Sequence, residues 1–243
     1  MHLQVLYEDN HVIAVVKPAG VLSQGDQTGK SSIFDAVKKY LKEKYSKPGN
    51  VFLGLVHRLD KPVSGIILFA KTSKGASRLS EQFRNHTIQK TYHAIVVGNL
   101  KQKQGDLKEK VSKISFFAEG FANKTDKEIL EAVKKATKTR AAEVYYEVVS
   151  SNGKYSLLKV LPKTGRFHQI RIQMAEMGHP ILGDHEYSKK KSDIWKDKNG
   201  IALCASGLSF KSATGDKVID LKIDLPKDWG QYVNLESDIQ WAE

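Results

Sequence analysis

Two short segments carry most of the chemistry open to this chain. His57-Arg58-Leu59-Asp60 lies between two apolar runs, and Arg166-Phe167-His168-Gln169-Ile170-Arg171 leads into a segment of helical period. Each sets charges into a stretch that otherwise reads as core. A carboxylate in such a place needs compensation, because an unpaired buried charge either protonates or destabilises the fold. Arg58 points to the opposite face in an extended chain, whereas Arg171 could arrive from the helix and pair with Asp60 bidentately. From spacing alone, a structural ion pair closing a loop ranks above a catalytic one. His57 could act as a general base, yet a histidine at a strand end more often packs and hydrogen-bonds, and the same holds for His168 and His179. Ser64-Gly65 lacks the elbow of a serine nucleophile and reads as the turn into the next strand. Tyr92 reads as a core residue whose hydroxyl reaches a partner.

The elements that must position these residues follow from periodicity. Strands at 3–8 and 11–17 flank the turn pair Asp9-Asn10, and Lys17-Pro18-Ala19-Gly20 closes the second. A helix is predicted over 32–45, with Ile33, Phe34, Val37, Tyr40 and Leu41 apolar. Strands at 51–56 and 66–70, a helix at 74–85 and a strand at 89–97 follow, the last with Tyr92, Ala94 and Val96 on one face. Strands at 141–149 and 155–161 flank the hairpin pair Asn152-Gly153. A helix at 168–177 buries Ile170, Met174 and Met177, and strands at 201–210 and 217–224 close the chain. Residues 101–138 and 188–200 read as Lys-rich insertions, the first with a capping box, Thr125-Asp-Lys-Glu128, before a short helix. Strands cluster without regular βαβ alternation, so the expected class is α+β, on a mixed, mostly antiparallel sheet with flanking helices. No linker divides the chain, which is read as one domain over 1–243.

Bulk properties narrow the function classes. At 243 residues, with 40% hydrophobic and 9% aromatic residues, the chain can bury a core. It has no apolar run long enough for a membrane span and no secretory leader pattern, so a cytoplasmic address is expected. The one cysteine, Cys204, excludes an internal disulfide and any zinc site needing several thiolates; it reads as a small buried hydrophobe. A net charge of +12 calls for a polyanionic partner, and the lack of a basic amphipathic helix favours nucleic acid over membrane. Lys189-Lys190-Lys191, taken singly, reads as a solvated loop. The phosphate-loop, dinucleotide and zinc-protease motifs are missing.

The wording of the segments resembles the RluA-type RNA pseudouridine synthases. The similarity runs through YEDNHVIAVVKPAGVLSQ, GLVHRLDKPVSGIILFAKT, KTYHAIVVG, LLKVLPKTGRFHQIRIQMAEMGHPILGD and ALCASGLSF, in family order. The resemblance implies a pseudouridine-synthase-like catalytic domain with a central RNA-binding cleft, working without cofactor or metal. It implies that Asp60 is the catalytic aspartate, that Tyr92 stacks on the target base and that Arg171 pairs with Asp60. Arg58 would hold the RNA open around the flipped base, with Arg166, His168 and Gln169 also binding substrate. The implied reaction detaches uracil from C1′ of its ribose, rotates it and rejoins it through C5. The implied partner is ribosomal or transfer RNA, and the protein is expected to be a monomer with no obligate protein partner. This sequence has Val63 where many members have threonine, Phe167 where serine or threonine is usual, and Cys204 where histidine is common. Many relatives carry an S4-type RNA-binding domain ahead of the catalytic one; here the first catalytic strand starts within the first few residues, so RNA affinity is expected from the basic catalytic domain. Two alternatives remain at this stage: an inactive RNA-binding protein of the same fold, and a glycosidase or nucleoside hydrolase using Asp60 with a second carboxylate such as Asp184.

Overall fold

The computed structural model describes residues 2–26, 29, 31–111, 140–188, 195 and 200–235. Its first two strands, β1 (Val5–Glu8) and β2 (Val12–Lys17), pair antiparallel around a turn that Asp9 fixes by accepting from the backbone N–H groups of His11 and Val12. Helix α1 (Ile33–Lys44) starts at Ser32, whose hydroxyl accepts from Asp35 N while the Asp35 carboxylate accepts from Ser32 N, a complete capping box. Strands β3 (Gly54–Leu55) and β4 (Ser64–Ala70) follow, then helix α2 (Ser73–Arg84), capped by the Thr72 hydroxyl. Next come β5 (Gln89–Val97), β6 (Gln104–Val111), β7 (Arg140–Ser151), β8 (Tyr155–Pro162), helix α3 (Gln169–Glu176), β9 (Leu203–Lys211) and β10 (Val218–Lys222).

These strands form one sheet in the order β1-β2-β4-β9-β5-β8-β7-β6, with β10 beside β9 and β3 beside β4. Every strand pair is antiparallel except β4–β9, which is parallel over Ser64↔Cys204 and Gly65↔Ala205. The expected mostly antiparallel, mixed sheet with flanking helices is therefore observed. That parallel contact explains the Ser-Gly pair. Gly65 has φ +123°, and a Cβ there would run into the Ala205 backbone, so only glycine lets β4 approach β9 this closely.

Both faces of the sheet are covered. In β2 and β4 the alternate residues Val12, Ala14, Ile66 and Leu68 pack with Leu79 of α2, while Ile13, Val15, Ile67 and Phe69 pack with Ile33, Val37 and Leu41 of α1. A separate cluster joins β5, β7, β8 and β9 to Ile170 and Met174 of α3.

Three sequence expectations need correction. The strand foreseen at 51–56 shrinks to Gly54–Leu55, because the chain turns away and the His57 ring takes over: its Nε2 accepts the Leu68 backbone N–H at 2.9 Å, where a continuing strand would have bonded β4. Residues 104–111, read as part of an insertion, are strand β6, whose charged sequence QGDLKEKV suits an edge of the sheet. The first six residues of helix α3 are all buried, not one face of it: Gln169, Arg171 and Gln173 are as hidden as Ile170, Ile172 and Met174, whereas Glu176 is exposed and Met177, expected to be buried, is half-buried. The helix predicted after Thr125 and the Lys189–Lys191 run lie outside the described residues.

Candidate active site

The loop that carries Asp60 is clamped from below by the segment following β2. Leu59 is buried, and the Ser23 hydroxyl both donates to Leu59 O at 2.6 Å and accepts from Leu59 N at 3.0 Å. Gly20 N donates to Lys61 O, and Val63 N closes a turn onto Asp60 O. Lys17 is fully buried, and its three ammonium protons match three carbonyls: Pro18 O at 3.0 Å, Val21 O at 2.8 Å and Lys61 O at 3.1 Å. Burial pulls its pKa down to about 7, against the opposing pull of Asp60. Lys17-Pro18-Ala19-Gly20 thus does more than end a hairpin, since it fixes the backbone on which Asp60 sits.

From the other side, α3 presents Arg171. Its Nε and Nη2 donate to Asp184 Oδ2 and Oδ1 at 2.6 and 2.7 Å, Nη2 also reaches Glu186 at 2.8 Å, and Nη1 stands 3.7 Å from Asp60 Oδ2. The bidentate partner expected to be Asp60 is therefore Asp184, which is 2% exposed and does not line the cleft. Burial lowers the Arg171 pKa, but the Asp184 hydrogen bonds and the charges of Asp184, Glu186 and Asp60 outweigh it and raise it, so the guanidinium is permanently charged. It also lies over the Tyr187 ring, 4.8 Å from its centroid.

His168 caps α3 in the left-handed conformation, φ +49°. Its Nδ1 bonds the Tyr187 hydroxyl at 2.7 Å, and that hydroxyl also bonds Glu186. Arg171 Nη1 stands beside the same ring, 3.1 Å from Nδ1 and 3.3 Å from Nε2. The other ring nitrogen, Nε2, lies 3.4 Å from Asp60 Oδ2. Burial lowers the His168 pKa, with Arg171 adding to this and Asp60, Glu186 and Asp184 opposing it. Asp60 thus has an imidazole and a guanidinium beside it, while 30% of its side chain remains open.

All seven residues expected in the site line one cleft of about 570 Å³: Asp60, Tyr92 and Arg171, with Arg58, Arg166, His168 and Gln169. Their places differ. Arg58 is exposed at the rim. Arg166 turns its Nε toward Ala141 O at 3.3 Å. Gln169 is buried and braces the loop: its Oε1 accepts from Thr164 and from Arg166 N, and its Nε2 donates to Glu143 O. Three hydrogen bonds within the protein thus hold its amide. Tyr92 follows a bulge in β5 and packs against the apolar clusters on either side; burial first, then Asp60 and Cys204, raise its hydroxyl pKa well above the usual tyrosine range. Val56, Val63, Ile170 and Leu203 complete an apolar lining.

Sequence reasoning missed Arg84 at the end of α2, Lys90 in β5 and the clamp Ser23. A last-turn cation on a helix gives no hint of which cleft it faces. Lys90 donates to Thr164 O at 3.2 Å and has its pKa lowered by burial. His57, read as a packing residue or a base, packs: it stacks on Phe83 at 4.8 Å, and burial, then Lys90, holds its pKa down to about 3. Cys204 is buried as expected, with its thiol pushed up to about 11 by burial.

A carboxylate in a cleft that Arg58, Arg84, Lys90 and Arg166 also line suits a polyanionic partner. The chain belongs to the RNA pseudouridylate synthase family, whose model matches residues 11–176. It is 38% identical over 251 residues to the tRNA pseudouridine synthase C of Vibrio cholerae, covering 99% of this chain and 97% of that protein. To the ribosomal large subunit pseudouridine synthase C of Buchnera aphidicola it is 32% identical over 235 residues, covering 95% of this chain and 70% of the relative. The solved structure of human RNA pseudouridylate synthase domain containing 4 superposes with a TM-score of 0.71 at 23% identity, covering 93% of this chain and 90% of that one, a likeness of fold.

Proposed function

We propose that this protein isomerises uridine to pseudouridine in transfer or ribosomal RNA, with Asp60 as the catalytic carboxylate. The observation that carries the reading is the setting of Asp60: partly open to a cleft lined by Tyr92, Val63, Ile170 and Leu203, with Arg171 and His168 at its back. The reaction breaks the N1–C1′ bond, forms a C5–C1′ bond, takes one proton from C5 and returns one to N1, so no external reactant is needed. C1′ and C5 cannot exchange partners within a stacked helix, so the uridine must leave the stack, at a cost of a few kcal/mol. The Tyr92 face supports the base that leaves, and aromatic stacking offsets about 1–3 kcal/mol of that cost. Arg58 and Arg84 at the rim meet the phosphates. The alternative hydrolase needs a second carboxylate in the cleft; Asp184 is turned away and engaged by Arg171. The protein acts in the cytoplasm as a monomer.

The test is Asp60→Asn, nearly isosteric but unable to supply an anion. Incubated with total tRNA and rRNA, wild-type protein should form pseudouridine and a folded Asp60→Asn protein none. Equal product from both variants would overturn the assignment of Asp60, and release of free uracil would favour the hydrolase.

A further inference from the structure

From the placement of Phe167, we infer that this chain has a second base-binding subsite, in which the Phe167 ring stacks on the nucleobase next to the target uridine. The inference rests on the proposed function and adds a feature to the same cleft. Phe167 lines that cleft yet is 51% exposed, unusual for a phenylalanine inside a concavity that also holds Val63, Ile170 and Leu203. Its ring lies nearly parallel to His168, at 16° and 3.6 Å between centroids. His168 is itself fixed by the Tyr187 hydroxyl and the Arg171 guanidinium, so the phenylalanine rests on a preordered support. The left-handed backbone at His168 turns the preceding residue outward at the start of α3.

The occupant follows from charge and shape. Arg58, Arg84, Lys90 and Arg166 line the same cleft, in a chain of net charge +12, which selects a polyanion over a protein or lipid. An exposed flat ring among cations fits a strand whose bases alternate with phosphates, since every base has a π face. The stack is sequence-tolerant but grows with overlap area, so a purine neighbour should be favoured over a pyrimidine. Serine or threonine at this position would offer a hydroxyl and no such face.

The experiment uses single-stranded 15-nucleotide RNAs with one central uridine and 2-aminopurine on its 5′ or 3′ side, titrated with the 243-residue chain at low salt. Wild-type protein should quench the 2-aminopurine on one side only. Phe167→Ala should lose that quench and bind roughly 5- to 140-fold more weakly, which is 1–3 kcal/mol per stacked base at 1.4 kcal/mol per tenfold. Phe167→Trp should keep the quench, and Phe167→Leu, apolar but not aromatic, should lose it. An RNA abasic at the quenched side should bind wild type and Phe167→Ala alike. If the alanine loss persists on the abasic RNA, the ring acts only by supporting His168 and the subsite is refuted; bound RNA without quench on either side refutes it too. Pseudouridine formation by the wild type in total RNA is read separately, so failure of the subsite is distinct from failure of the proposed function.

Discussion

Asp184→Asn separates the anchoring role of Asp184 from a catalytic one. In the wild type, Asp184 accepts from Arg171 Nε at 2.6 Å and Nη2 at 2.7 Å, with the two side chains 1% and 4% exposed. Asparagine keeps one acceptor oxygen and turns an NH2 group against a guanidinium N–H, so one charge-assisted bond is lost and a donor faces a donor. Removing one partner of a buried ion pair costs about 3–5 kcal/mol, and a hydrogen bond to a charged group about 1.5–3 kcal/mol. Arg171 retains Glu186 at 2.8 Å and Asp60 at 3.7 Å, which offsets part of the loss. The net expectation is about 2–3 kcal/mol, or roughly 5–10 °C in Tm for a chain of this size. Asp184 does not line the cleft, so turnover should fall by about 10- to 100-fold as Arg171 shifts behind Asp60, and should not vanish. Urea denaturation and single-turnover pseudouridine formation measure the two effects on one preparation. Stability within about 0.5 kcal/mol of wild type would refute the buried pair. Turnover as low as that of Asp60→Asn would refute the anchoring role.

Three further outcomes follow from the same geometry. Tyr92→Phe keeps the ring, and because burial and Asp60 hold the phenol protonated and make it a poor acid, single-turnover rates should stay within about tenfold of wild type, whereas Tyr92→Leu should weaken RNA binding by about 1–3 kcal/mol; a loss of about 10²–10⁴-fold in the Phe variant would instead assign the hydroxyl a proton transfer. Lys17 loses its proton near pH 7 when folded and near 10.5 when unfolded, so between these values the unfolded chain binds more protons and stability rises with pH, by up to about 1.4 kcal/mol per pH unit relative to Lys17→Met; a difference that stays flat across this window in urea titrations would mean that the three carbonyls keep the ammonium charged. Arg58→Ala and Arg84→Ala should each reduce the slope of log K against log salt for RNA binding by roughly 0.7–0.9 if each meets one phosphate, and an unchanged slope would remove that arginine from the interface.

The sequence by itself determined those features whose causes lie within a few residues. Ser32 with Asp35, and Thr72, start α1 and α2 close to where they were expected, because a cap is a bond over three positions. Asn152-Gly153 sets the β7–β8 hairpin: Asn152 Oδ1 accepts from Lys154 N and Tyr155 N, and Gly153 takes φ +87°. Charges placed inside apolar runs marked Asp60 and Arg171, and the net charge pointed to nucleic acid, both being properties of composition and order.

Tertiary structure decided what each charge meets. From the sequence, Arg171 could be matched to any of several carboxylates, but only the loop after α3 brings Asp184 to its fork and leaves Asp60 in reach of one nitrogen. Helix α3 shows no amphipathic period because its residues from Gln169 to Met174 are all buried, so the side-chain N–H groups of Gln169 and Gln173 bond carbonyls of β6 and β7 rather than water. The parallel contact that requires Gly65 joins β4 to β9, strands far apart in the chain. Arg84, Lys90 and Phe167 belong to three different elements, and which cleft they share is a matter of how those elements pack. Local pattern fixes the conformation of a segment; the partner of a side chain depends on contacts between segments that no period or cap encodes.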